Sequence, residues 1–126
     1  MSVELLKERF KKFAINTALY LQKLPKTMIN TPYSNQLIRA SSSSGANYRA
    51  ACRAKSTADF INKLKIVEEE LDESIYFPEL LTHFNSKDNK LSELLLVEGG
   101  ELLAITVQSI KTSRAKQALL KESNKK

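Results

Sequence analysis

The chain has 126 residues and a formal net charge of +6 at pH 7, with 42% hydrophobic and 27% charged residues. This length is enough for one domain with a sizeable core and too short for two ordinary domains. Three glycines, three prolines and no tryptophan exclude a collagen-like or disordered protein and favour helices over a turn-rich β fold.

The sequence offers little material for catalysis or metal binding. It has one cysteine, Cys52, and one histidine, His83. An internal disulfide, a zinc site and most nucleophilic triads need more of these residues than that. We therefore expect a protein that is not an enzyme and that needs no metal or other cofactor.

The first thirteen residues hold Glu4, Glu8 and four basic side chains instead of an uninterrupted apolar segment. The longest apolar runs, such as residues 94–97, are far shorter than a membrane-spanning helix requires. Together with the single cysteine, this pattern predicts a soluble protein of the reducing cytoplasm without membrane contact.

Apolar residues recur at steps of three and four from Leu6 to Leu24, which predicts an amphipathic helix over residues 3–24. Pro25 ends this pattern because proline has no backbone N–H with which to continue a helix. Thr31 followed by Pro32 then predicts the N-cap and the first residue of a second helix over residues 32–54.

The centre of the second helix, residues 40–47, reads Ala-Ser-Ser-Ser-Ser-Gly-Ala-Asn and has the composition of a flexible linker. Leu37, Ser44 and Tyr48 nevertheless stay in helical phase across it. We therefore predict a continuous helix, whose small residues allow a neighbouring helix to approach closely.

Ser56 and Asp59 have the spacing of a capping box, which predicts a third helix over residues 57–82. Pro78 should kink or shorten the end of that helix. A fourth helix is predicted over residues 89–114, continuous through Gly99 and Gly100 because the apolar pattern keeps its phase there. Residues 116–126 are predicted to form a basic, frayed tail.

Four helices joined by short connections, with no strand pattern, predict an all-α fold in a single domain of residues 1–115. The expected architecture is an up-down-up-down antiparallel four-helix bundle. A second apolar row lies on another side of the fourth helix. A monomeric bundle would leave this row partly exposed to solvent, so we predict self-association through it. This row consists of Leu96, Leu103, Val107 and Ile110.

The charge is divided into three blocks. Residues 1–65 hold twelve Lys and Arg against three Asp and Glu, residues 66–110 hold two against ten, and residues 111–126 hold six against one. In one interpretation the basic blocks attract phosphate backbones. In the other, the acidic third helix packs beside the basic first and second helices, within a subunit or between subunits.

The candidate phosphate-binding residues lie off the apolar stripe of the first helix or flank the end of the second helix. They are Lys7, Lys11, Lys12, Lys23, Arg49, Arg53 and Lys55.

A polar row at helical spacing, formed by Gln36, Arg39, Ser43 and Asn47, could line a ligand site or form an inter-helix network. We favour the network, since buried polar groups need partners and fix helix register. Glu70 or Glu73 would then pair with Arg39 or Arg49. The acidic run does not have the Glu-x-x-His pattern of a di-metal bundle site.

Several motifs resemble a known family. They comprise residues 36–40 (QLIRA), 43, 45–49 (GANYR), 55–56 and 59–64 (DFINKL), with residues 24–26, 68–76, 101–105 and 109–112 around them. The chain resembles the four-helix-bundle protein family first associated with intervening sequences in bacterial large-subunit ribosomal RNA genes, also called the S23 ribosomal protein family. The resemblance spans about residues 10–114.

This resemblance implies a small bacterial cytosolic bundle, and members of the wider fold form ring-like homopentamers. A similar fold serves as the accessory protein of diversity-generating retroelements, where a basic pentamer works with nucleic acid and a reverse transcriptase. No enzymatic activity is attached to the family.

From the charge pattern and this resemblance together, we predict a non-enzymatic homo-oligomer, with a pentamer favoured. It is expected to bind nucleic acid, RNA before DNA, through backbone electrostatics. The alternative is an oligomeric protein-binding scaffold, or an accessory subunit, that recruits a partner enzyme through the acidic middle of the chain or the oligomeric rim.

Overall fold

A computed structural model describes residues 1–86 and 90–125. Within these ranges the chain forms four helices and no strand: α1 (Val3–Gln22), α2 (Asn30–Cys52), α3 (Thr57–Phe84) and α4 (Lys90–Asn124). Helices α1 and α3 each pack against both α2 and α4, which closes the bundle into a ring of sequential neighbours. The predicted all-α, up-down-up-down four-helix bundle is confirmed.

Apolar side chains from all four helices fill the centre of the bundle, as the three- and four-residue spacing predicts. The largest fully buried ones are Phe10, Phe13, Leu37, Leu64, Val67, Leu71, Leu81 and Leu102. The rings of Phe10 and Tyr48 stack with centroids 4.9 Å apart and planes 16° apart. This stack ties α1 to α2 close to the carboxyl end of α2.

The serine-rich centre of α2 is helical, as predicted. Ser41 and Ser44 are buried, and Ser44 Oγ donates to the Ser41 carbonyl at 2.8 Å. A Cβ atom added to Gly45 would lie 3.3 Å from Phe10 Cβ, so α1 passes directly over this glycine. The small residues of α2 therefore do allow a neighbouring helix to approach closely.

The start of α2 differs from the prediction, because Thr31 is not its N-cap. Thr27 Oγ1 accepts the Asn30 N–H at 3.0 Å, and the Thr27 carbonyl accepts the Thr31 N–H at 3.1 Å. Ile29 already has helical backbone angles, φ −82° and ψ −48°. Thr27 thus caps the helix one turn earlier, and Pro32 falls in a first turn where a missing N–H costs little.

Two asparagines fasten the α1–α2 connection to the end of α3. Asn30 and Asn85 exchange side-chain hydrogen bonds of 2.9 Å and 2.7 Å. Asn30 also donates to the Pro25 carbonyl at 2.9 Å, and Asn85 to the Leu81 carbonyl at 2.8 Å. Asn30 is buried, so this fully partnered pair stabilises one end of the bundle.

Helix α3 starts as predicted, since Ser56 Oγ accepts the Asp59 N–H at 3.0 Å. It continues to Phe84, two residues beyond the predicted end, with Pro78 buried inside it. Proline cannot donate to the Ser74 carbonyl one turn earlier. The Ser74 hydroxyl instead donates to the Glu70 carbonyl at 2.7 Å in the same turn.

Helix α4 passes through Gly99 and Gly100 without a break, as predicted. Its predicted start at residue 89 lies outside the described residues. Its predicted end at Arg114 is wrong, because the helix continues to Asn124 and includes most of the tail that was expected to be frayed. Residues 115–121 (AKQALLK) are strong helix formers and contain no glycine or proline, so nothing in them ends the helix.

Candidate functional site

A groove of about 610 Å³ runs between α1 and α2 and carries four cationic side chains along its walls. Lys7 and Lys11 come from α1, and Arg49 and Arg53 come from α2. Each pair is spaced four residues apart, which places both members on one face of their helix. Because neighbouring helices of the bundle are antiparallel, the two pairs face each other across the groove.

The floor of the groove is small and apolar. It is lined by Phe10, Ala14, Gly45 and Ala46, and the remaining lining residues are Ile15 and Ser42. Gly45 makes this floor possible, because a larger residue there would push α1 away from α2. None of the ten lining residues carries a carboxylate.

Among the residues that the structure describes, the groove cations have few acidic partners. Lys7 Nζ lies 3.4 Å from Glu4 Oε1, and that carboxylate side chain is 84% exposed, so the pair contributes little. Lys11, Arg49 and Arg53 form no ion pair with any residue of the described ranges. Ion pairs among the described residues therefore leave most of the positive charge of the groove without a carboxylate partner.

The structure brings four of the seven predicted cationic residues together and separates the other three. Lys12 lies on an adjoining face of α1, in a cleft with Glu8 and Arg9 that Lys11 also lines. Lys23 lies at the opposite end of α1, beside Tyr20 and other residues of a separate cavity. Lys55 lies at the α2–α3 connection, in a cavity that is also lined by Lys116.

Arg39 behaves differently from the groove arginines. Its guanidinium nitrogens lie 3.0 Å from Glu70 Oε2 and 2.7 Å from Glu73 Oε1, and its Nε donates to Gln36 Oε1 at 3.4 Å. This arrangement braces α2 against α3, as the predicted inter-helix network requires. Glu70 and Glu73 thus pair with Arg39 and not with Arg49.

The other two residues of the predicted polar row form a separate contact. Asn47 Nδ2 donates to the Ser43 carbonyl at 2.9 Å and to Ser43 Oγ at 3.0 Å. Within the described residues no hydrogen bond joins this pair to Gln36 and Arg39. The row is therefore two local contacts and not one continuous network.

A second arginine brace, which the sequence reasoning missed, joins α1 to α4. Arg9 Nε donates to Glu98 Oε2 at 3.0 Å, and its Nη2 lies 3.1 Å from Glu101 Oε1. The hydrogen bond that Arg9 donates to Glu98 raises the pKa of the Arg9 guanidinium against the opposing effect of burial. Block-wise charge counting could not single out Arg9, although Glu98 and Glu101 have the spacing of one helix face.

The self-complementary interpretation of the charge blocks concerns two arginines. Acidic side chains of α3 pair with Arg39 of α2, as the self-complementary interpretation predicts. That interpretation is wrong for α1, which within the described residues packs against α2 and α4 and not against α3, so Arg9 pairs with acidic side chains of α4. Lys11, Arg49 and Arg53 of the α1–α2 groove form no ion pair within the described residues.

The predicted oligomer row on α4 needs one correction. Ile110 is only 4% exposed and belongs to the core, because it continues the buried row of Leu102 and Thr106 at four-residue steps. Leu96, Leu103 and Val107 are half-buried. The most exposed apolar side chains in the first half of α4 are instead Leu94 at 61% and Val97 at 67%.

The remaining chemistry-bearing residues form no reactive cluster. In the described ranges no group of three or more His, Cys, Asp or Glu side chains is placed to hold a metal ion. Burial raises the pKa of the Tyr48 phenol, and a hydrogen bond with half-buried Cys52 adds to that effect. None of the four helices, over its described residues, is long and apolar enough to cross a membrane.

Comparison with protein-family models gave no match, and comparison with curated proteins gave none either. Among solved structures, the chain is similar to a protein of unknown function from the S23 ribosomal protein family of Bacteroides thetaiotaomicron VPI-5482. The two are 29% identical with a TM-score of 0.75, and the match covers 84% of this chain and 98% of that chain. The resemblance inferred from the motifs of α2 is confirmed.

Proposed function

Starting from the similarity to the S23 ribosomal protein family, we propose that this chain is a non-enzymatic protein that binds nucleic acid, with RNA favoured over DNA. The observation that carries the proposal is the α1–α2 groove, where Lys7, Lys11, Arg49 and Arg53 surround a space that no carboxylate lines. Binding would use the phosphate backbone and not the sequence of the bases.

The energetics favour the groove over the other cations of the protein. Arg9 and Arg39 already contact two carboxylates each, so binding a phosphate there would first break existing ion pairs. Lys11, Arg49 and Arg53 would lose no described ion pair. A cation that docks on a phosphate releases condensed counterions from the nucleic acid, and that release drives binding at low salt.

The direct test is fluorescence anisotropy of labelled structured RNA, duplex DNA and single strands over a series of salt concentrations. We expect the logarithm of the binding constant to fall linearly with the logarithm of the salt concentration. With four contacts per groove the slope should be about −3 to −4. No binding to any of these probes at low salt would overturn the proposal.

A pair of double variants separates the groove from the overall charge. Lys11→Glu with Arg53→Glu reverses two groove cations, whereas Lys26→Glu with Lys65→Glu makes the same change in net charge at exposed positions outside the groove. We expect at least about tenfold weaker binding for the groove variant and a much smaller loss for the control. Equal losses, with helicity preserved in both, would show that the groove is not the site.

We also propose that the protein is a homo-oligomer, with a pentamer favoured by the family resemblance. Exposed Leu94 and Val97 on α4 support an apolar contact between copies. Several grooves on one assembly would multiply a modest phosphate affinity through avidity. Sedimentation velocity should find an oligomer that Leu94→Glu with Val97→Glu converts to a folded monomer, and a monomeric wild-type protein would contradict this.

A protein-binding scaffold is the second candidate function, and the outer face of α3 supports it. Four residues on this face are exposed at helical spacing: Glu69, Asp72, Tyr76 and Glu79. The three carboxylates among them form no ion pair within the described residues. An affinity pull-down from nuclease-treated lysate should then recover a stoichiometric partner. Glu69→Lys with Glu79→Lys should release that partner, whereas Lys11→Glu with Arg53→Glu should not.

A further inference from the structure

We infer that the α1–α2 groove binds one backbone of a double helix and not a single strand. This inference rests on the proposed function and adds the form of nucleic acid that the groove accepts. Three features of the groove carry it: the placement of the cations, the absence of an exposed aromatic ring among the described lining residues, and the absence there of amide and carboxylate side chains that read base edges.

The cations form two short rows. Within each pair the residues are four positions apart, which is about 6 Å along a helix axis. Lys7 and Lys11 form one row, and Arg49 and Arg53 form the other. Such rows suit a strand whose phosphates all point to one side, because both rows can then contact the same backbone.

The groove offers no aromatic surface on which a base could stack. Phe10 is its only aromatic lining residue, and its side chain is 1% exposed with one face covered by the stacked ring of Tyr48. The most exposed aromatic side chains among the described residues, Tyr76 at 56% and Phe84 at 53%, belong to α3 and do not line this groove. Proteins that bind single strands without sequence preference usually add such stacking to their positive charge.

The groove also lacks the amide and carboxylate side chains that read adenine and cytosine. Ser42 is the only uncharged polar residue in its lining, and no asparagine, glutamine or carboxylate is present there. A single strand entering the groove would find no aromatic ring for its bases, and only the guanidinium planes of Arg49 and Arg53 could stack on them. A double helix keeps its bases stacked and paired, and its phosphates and sugars lie on the outside, where this cationic lining can contact them.

The charge density of nucleic acids also favours a double helix over a single strand. A B-form DNA duplex carries one negative charge per roughly 1.7 Å of axis, about twice the linear density of one of its strands. Each neutralised phosphate therefore releases more counterion from the duplex. For four contacts the expected log–log salt slope is about −3.6 for a B-form duplex and about −2.8 for a single strand.

The test compares blunt RNA and DNA duplexes of scrambled sequence with an unstructured polyuridine strand of the same length, by anisotropy at low salt. We expect both duplexes to bind at least about tenfold more tightly than the single strand, irrespective of sequence. The two duplex arms tell which double helix the groove prefers. Lys11→Glu with Arg53→Glu should abolish this preference.

A gain-of-function variant tests the argument about stacking. Ala46 is an exposed residue of the groove floor, so Ala46→Trp should supply the missing aromatic surface. We expect single-strand affinity to rise about tenfold, with no gain for the duplex. Ala104→Trp, at an exposed position on α4, is the matched control and should change neither.

The outcomes separate this inference from the proposed function. If single strands bind as tightly as duplexes and the groove variant weakens both, the inference fails while nucleic-acid binding stands. If the duplex preference survives the groove variant, the duplex is bound elsewhere and the inference also fails. If no nucleic acid binds at all, both fail.

Discussion

The arginines on the two sides of α2 have opposite electrostatic surroundings. On the side that faces α3, Arg39 is held between Glu70 and Glu73 at 3.0 Å and 2.7 Å. On the side that faces α1, Arg49 and Arg53 join Lys7 and Lys11 around a groove without carboxylates. The residue type and the helix are the same on both sides, and only the neighbouring helix differs.

This difference separates structural charge from available charge. The acidic block of the sequence lies on α3 and α4, so cations that point toward those helices are neutralised and stabilise packing. Helix α1 contributes lysines to its interface with α2. Within the described residues only Lys7 among the groove cations forms an ion pair, and an aromatic stack and a close helix approach hold the interface together. Four changes would break or sharpen this contrast.

The largest effect is expected from Gly45→Leu, which places a large side chain in the contact between α2 and α1. A Cβ added at this position would lie 3.3 Å from Phe10 Cβ, so the larger leucine side chain must push α1 outward. We expect a loss of about 2–3 kcal/mol in the free energy of unfolding, measured by urea denaturation. Gly100→Leu meets nothing within 4 Å at its Cβ and should instead be neutral or stabilising by up to about 1 kcal/mol.

Alkaline pH should weaken the same interface through Tyr48. Burial raises the pKa of its phenol in the folded protein, while the unfolded chain titrates near the ordinary value of 10.0. Below about pH 10 both states hold the proton and stability is full. Above it the unfolded chain releases a proton that the folded protein keeps, so stability falls by up to about 1.4 kcal/mol per pH unit.

Unfolding curves between neutral and strongly alkaline pH would measure this loss. Tyr48→Phe should make the alkaline decline less steep, whereas Tyr76→Phe removes a phenol that is already exposed and should leave the decline as it is. Burial also raises the pKa of Tyr20, so part of the decline should remain in Tyr48→Phe. An identical decline in the wild-type protein and Tyr48→Phe would contradict the assignment.

Single alanine substitutions should show that nucleic-acid binding depends on an arginine of the α1-facing side of α2 and not on the arginine of the α3-facing side. Arg49→Ala should weaken nucleic-acid binding about threefold to tenfold and reduce the salt slope by about one, because one phosphate contact is lost. Arg39→Ala should leave affinity and slope nearly unchanged. If the two variants weakened binding equally, the distinction between available and structural arginines would be wrong.

The smallest effect is expected on stability. Arg39→Ala should cost up to about 1 kcal/mol of unfolding free energy, since its ion pairs are partly exposed and screened by water. The loss should shrink at high salt. Arg49→Ala should change stability by less than about 0.5 kcal/mol, and a larger loss would mean that Arg49 has a structural partner.

Periodicity predicted the fold well because each helix keeps its apolar residues in phase. That rule held even through the serine run of α2 and the two glycines of α4. The prediction was wrong at the start of α2. The capping residue is Thr27 and not Thr31, because the hydroxyl of Thr27, four residues earlier, accepts the Asn30 N–H. The prediction was wrong again at the end of α4, where composition suggested a frayed tail but no residue stops the helix.

The candidate site was only partly predictable. The sequence could indicate which cations lie off the apolar stripe, and four of the seven do meet in one groove. It could not indicate that Arg9 reaches Glu98 across 89 residues, or that Ile110 enters the core. Such contacts depend on how far each helix is rotated toward its neighbours, and a single-helix pattern leaves that rotation open.

The sequence by itself thus determined the helices, their order and the surplus of positive charge, because these follow from local spacing and composition. Only the tertiary structure decided which charges meet a carboxylate. Ion pairing depends on distances of a few ångströms between residues far apart in the chain, and those distances exist only after α1 and α3 have packed on opposite sides of α2.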